Sequence, residues 1–74
     1  MRQLELRGDY IELDKLLKAV GLVSSGGEAR MRISEGEVTV DGAQELRKTA
    51  KIRAGQVVAF AGEQVQVLGS SASS

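Results

Sequence analysis

The chain has 74 residues, with ten basic and ten acidic side chains for a formal net charge of zero, and it contains neither Cys nor His. That length supports one small domain on a single hydrophobic core, with no disulfide or Cys/His metal site to staple it. Zinc, haem and iron–sulfur chemistry are excluded by inventory, and the usual general base and nucleophile are missing. No D-x-D-x-D-G loop or paired acidic cluster suggests a Mg²⁺ or Ca²⁺ site. No enzyme, cofactor or small-molecule substrate is therefore expected.

From the N-terminus, Gln3–Leu6 alternates weakly and reads as a short strand ending at Gly8-Asp9. The opening MRQLELRGDY lacks a signal-peptide apolar region, and no run reaches the ~18 to 20 apolar residues of a membrane span. A soluble cytoplasmic protein is expected. In LDKLLKAV, Leu13, Leu16, Leu17 and Val20 fall at i, i+3, i+4 and i+7, one face of a helix with Lys15 and Lys18 outside it. Gly21 then suits the left-handed position that ends such a helix.

Ser25 and Glu28 have capping-box spacing, so Ser25 is the expected N-cap of a second helix. Ala29 and Ile33 are its inner edge and Gly36 closes it. Arg30 and Arg32 lie ~200° apart on that helix and cannot both face one ligand. The period then changes to two: Val38 and Val40 alternate with Glu37 and Thr39, and Asp41-Gly42 is a type I′ hairpin signal. Gln56–Phe60 and Gln64–Leu68 read as two further strands joined around Gly62. The domain is set at 1–68, with GSSASS (69–74) a flexible tail.

The neutral total hides a separation of sign. Over residues 1–14, Arg2 and Arg7 stand against Glu5, Asp9, Glu12 and Asp14, a net −2. Over residues 43–55, Arg47, Lys48, Lys51 and Arg53 stand against Glu45 alone, a net +3. Four cations within RKTAKIR (47–53) have two readings, a solvated loop or contacts to a phosphate-bearing partner, and the prevalence of one sign favours the second. With only Tyr10 and Phe60 as aromatics, base-stacking platforms are disfavoured.

The order helix, Gly, helix opened by Ser-Ser, then G-x-V-x-V-D-G resembles the S-four RNA-binding domain over LDKLLKAVGLVSSGGEARMRISEGEVTVDG (13–42). SGGEAR (25–30) and RKTAKIRAGQV (47–57) are similar to the small stand-alone members of the YbcJ and YaaA type. Glu12 and Gly26 stand where the larger family usually has Arg. The resemblance implies an α+β fold, with two N-terminal helices packed on a small, mostly antiparallel sheet, the alpha-L motif.

It also implies a non-catalytic module for structured RNA, of ribosomal or translation-associated kind, with no membrane partner; the sequence does not fix the oligomeric state, and a monomer is favoured. The implied contacts are Arg47, Lys48 and Lys51 first, then Arg30 and Arg53, with Ser25, Gly26 and Gly27 offering helix N–H groups to an anion. Lys15 is added from its place beside the apolar stripe of the first helix, not from the resemblance, and solubility explains it as well. Arg32 is expected only to cover the core edge. The alternative is a protein–protein adaptor of the same fold that docks through its acidic N-terminal part.

Overall fold

Leu13, Leu16 and Leu17, the stripe expected on the first helix, are fully buried in the computed structural model, which describes residues 2–69. The chain runs β1 (Arg2–Glu5), β2 (Ile11–Glu12), α1 (Leu13–Ala19), α2 (Gly26–Ser34), β3 (Val38–Val40), β4 (Ala43–Gln44), β5 (Lys51–Ile52), β6 (Val57–Phe60) and β7 (Glu63–Leu68). The α+β class is as expected. The helices, however, are not N-terminal in order, because β1 and β2 precede them.

Five strands form one sheet in the order β1-β7-β6-β3-β4, and β2 pairs with β5 in a separate two-stranded ladder. All pairings are antiparallel except β1 on β7, where Arg2 to Glu5 run alongside Val65 to Leu68. Alternation places Val58 and Phe60 of β6, and Val65 and Val67 of β7, on the buried face. They share one core with the α1 leucines, Ala29, Ile33 and Val38. Burying each such aliphatic side chain is worth about 1.5–3 kcal/mol, so a handful of them outweighs any surface pair.

Both helices end in the same way. Gly21 and Gly36 each have φ of +79°, and the next amide reaches back to Leu17 O (3.0 Å) and to Arg32 O (3.2 Å), respectively. This is the six-to-one bond of a Schellman stop, which requires a residue tolerant of positive φ. The Asp41-Gly42 turn adopts φ values of 52° and 84°, as a type I′ turn requires. Its Asp41 carboxylate also accepts from Val57 N (2.9 Å), joining the hairpin to β6. Of the tail expected over 69–74, residues 70–74 lie outside the described residues.

Candidate functional site

RKTAKIR is neither a plain loop nor uniformly exposed. Ala50 and Ile52 within it are 7% and 1% exposed, and Lys51-Ile52 is strand β5. Ile52 faces Ile11 across the ladder and Lys51 faces Glu12. The backbone just before β5 also caps α1: Leu13 N donates to Ala50 O (2.9 Å) and Asp14 N to Lys48 O (3.1 Å). Two of the helix's orphan amides are thereby satisfied by a segment far away in sequence. With the apolar residues pinned inward, Arg47, Lys48, Lys51 and Arg53 are left exposed.

Between this segment and α2 lies an open groove of about 750 Å³, lined by Arg30, Leu46, Arg47, Lys48, Thr49, Ala50 and Lys51. Four expected contact residues, Arg30, Arg47, Lys48 and Lys51, thus meet around one concavity, where the sequence had suggested no pocket. Leu46 also lines the groove, although it is a large apolar side chain. It is 54% exposed on the groove wall, because it follows the short β4 edge strand and has no element above it.

These cations are not electrostatically equivalent. Arg47 Nε lies 3.2 Å from Glu45 Oε2, and its backbone N–H donates to the same oxygen at 3.0 Å. The Arg47 side-chain hydrogen bond, followed by its backbone one, holds the Glu45 carboxyl below its ordinary range. The one acid counted against the run, Glu45, is therefore engaged by Arg47. Arg30 is held between Gly26 O (3.3 Å from Nε) and Asp14 Oδ2 (3.7 Å), which fixes it at the groove edge. Among the described residues, no ion pair engages Lys48, Lys51 or Arg53. Lys51 and Arg53 instead sit over the Tyr10 ring, 5.0 and 5.7 Å from its centroid.

The remaining expected contacts are more occupied. Ser25 caps α2, accepting from Glu28 N at 3.1 Å. The Glu28 carboxylate does not return to Ser25, however; it accepts from Ser24 N (2.9 Å) and Ser24 Oγ (2.8 Å). Those Ser24 bonds, the backbone one first, hold the Glu28 carboxyl below its ordinary range. A carboxylate thus already stands at the helix start beside Ser25, Gly26 and Gly27, where an external anion would bind. Lys15 pairs with Glu12 at 3.0 Å, and that hydrogen bond raises its pKa. Arg32 does more than cover the core edge, reaching Glu37 at 3.2 Å and Glu28 at 3.9 Å.

A sequence model of the S4 domain matches residues 4–68. The chain belongs to the S4 domain family. It is 54% identical over 59 residues to YbcJ of Escherichia coli (strain K12), covering 80% of this chain and 84% of YbcJ. The solution structure of E. coli YbcJ superposes with a TM-score of 0.72 at 49% identity, over 92% of this chain and 87% of that one. That structure is described as revealing an alpha-L motif involved in RNA binding. The chain is also 40% identical over 58 residues to tyrosine–tRNA ligase of Burkholderia thailandensis, but this spans only 14% of the ligase. Among the described residues, no helix is long and apolar enough to cross a membrane.

Proposed function

We propose that this S4 domain protein binds structured RNA, chiefly through the phosphate backbone, and performs no chemistry. The observation that carries this reading is the meeting of Arg30, Lys48 and Lys51 around one groove in a chain whose family relative bears an RNA-binding motif. Lys48 and Lys51 supply charge that no ion pair among the described residues cancels, and Arg30 supplies a fixed guanidinium. Arg53 extends the positive surface beyond the groove. Arg47 joins once phosphate competes with Glu45, since so exposed an ion pair is worth only about 0–1 kcal/mol. Side chains cannot easily enter the narrow major groove of A-form RNA, so a small basic surface of this kind tracks backbone and 2′-OH groups.

Similarity to part of a tyrosine–tRNA ligase supports an RNA of the translation machinery. The adaptor reading has less support, because Glu12 and Asp14 of the acidic segment already pair with Lys15 and Arg30. Fluorescence anisotropy with a labelled RNA hairpin tests the proposal. Neutralising four or five phosphates gives a slope of log K against log salt of roughly −3 to −4.5. Affinity then falls about 10²-fold between roughly 50 and 200 mM salt. Tight binding that ignores salt would reject the mechanism.

A further inference from the structure

Tyr10 lies at a junction that the phosphate reading leaves unused. It faces Arg53 across the β2–β5 ladder, continuing the register in which Ile11 faces Ile52. Lys51, which lines the groove, is also over its ring, so the groove's last cation and the aromatic ring are in direct contact. Tyr10 is 42% exposed. It also borders a second cavity, of about 460 Å³, whose walls include Leu4, Leu6, Ile11 and Ala19, with Glu5 and Arg7 alongside.

The chemistry of this cavity differs from that of the groove. Its walls are mainly aliphatic and carry one aromatic ring, one carboxylate and one guanidinium. Bare phosphate gains nothing from aliphatic walls. A nucleobase uses all of them: its faces pack on Tyr10 and the aliphatic side chains, while its polar edge finds a donor in Arg7 and an acceptor in Glu5. The volume accommodates one base with its ribose. The two cations over Tyr10 bridge the groove and the cavity, so a strand leaving the groove keeps its phosphates on Lys51 and Arg53 as it passes the ring.

We infer that this cavity is a nucleobase site that takes one unpaired base of the RNA whose backbone lies in the groove. The inference rests on the RNA-binding reading above and adds a preference within it: helices interrupted by a bulged nucleotide bind better than uninterrupted ones. Stacking one base on an aromatic ring makes the preference about tenfold or more.

The test compares two RNA hairpins that are identical except for a single bulged 2-aminopurine, measured by anisotropy and by 2-aminopurine fluorescence. The expected result is tighter binding of the bulged hairpin, with quenching of its fluorophore on binding. Ala19→Phe fills the cavity from an exposed position and leaves the groove's cations in place. It is expected to abolish both the preference and the quenching while leaving the plain hairpin's affinity and salt slope unchanged. Tyr10→Phe keeps the affinity ratio and Tyr10→Ala brings it to about one, with circular dichroism confirming the fold of each variant. Equal affinity for the two hairpins, with normal salt dependence, overturns the nucleobase site and leaves the phosphate reading standing. Failure of both hairpins to bind overturns the two together.

Discussion

The cations of the helical surface and those of residues 47–53 are alike in number but not in availability. On the helices, Lys15, Arg30 and Arg32 each have an acidic partner, respectively Glu12, Asp14, and Glu28 with Glu37, and of the four helical cations Lys18 alone has none among the described residues. In the segment, only Arg47 has one. The reason is geometric. Neighbouring helical turns and the strands beside them bring acids within reach of long side chains, whereas Lys48, Lys51 and Arg53 project from a segment whose inward positions are apolar. A count of basic residues thus says little about partners until the internal pairs are removed.

The strongest challenge to this contrast is to remove the unpaired set. Replacing Lys48, Lys51 and Arg53 together by Gln is expected to make the salt slope for hairpin RNA shallower by roughly 2 to 3, with the largest loss of affinity of any variant here. Stability, followed by urea melts, changes by no more than about 0.5 kcal/mol per site. Unchanged RNA binding by the folded variant would mean that the segment is only a solvated surface.

Within the same seven residues, Ile52→Ala is expected to do the reverse. It should cost about 2–5 kcal/mol of stability, because Ile52 is 1% exposed in the core. Urea denaturation checks this, and a loss below about half a kcal/mol would misplace β5.

A smaller effect is expected from Glu45→Gln, which frees Arg47. The salt slope should steepen by less than about 0.7–0.9, the weight of one whole phosphate contact, because phosphate already competes for Arg47 in the parent protein. In the parent protein the Glu45 carboxyl is held low, so its pair with Arg47 is present above the ordinary value of 4.5 and is lost only as pH falls through the depressed one. With no His in the chain, lowering the pH from about 8 to about 6 should leave RNA affinity flat. The least effect is expected from Lys15→Gln with Arg32→Gln, with a change in salt slope well under one unit in the same anisotropy assay. A loss matching that of the segment variant would erase the contrast between the two regions.

Much of the fold was legible because it is local. The i, i+3, i+4 stripe of α1, the Ser25 cap, the two glycine stops and the Asp41-Gly42 turn each declare themselves within a few residues. The parallel pairing of β1 on β7 and the β2–β5 ladder join distant, very short segments, and no local pattern announces them. That ladder also hid the character of RKTAKIR. Ala50 and Ile52 look incidental among four cations until Ile11 and the first turn of α1 are placed against them. The candidate residues around the groove were visible as charge, but their ranking was not. Glu45 sits two residues from Arg47 and could have signalled the pair, whereas the position of Tyr10 beneath Lys51 and Arg53 depends on strand register alone.

The place of β1 bears on how the chain comes to be folded at all. The strand pairing of residues 2–5 is with residues 65–68, and the first amides of α1 wait for the carbonyls of Lys48 and Ala50. While the polypeptide emerges during synthesis, β1 has no partner until β7 follows, and the seven-residue α1 has no cap until β5 is near. Helices this short are marginal on their own. Loop closure over nearly the full length must therefore precede the reward, which favours a single late, concerted transition over stepwise assembly. A fragment ending before β7 is accordingly expected to be unfolded by circular dichroism and not to serve as a half-sized binding module.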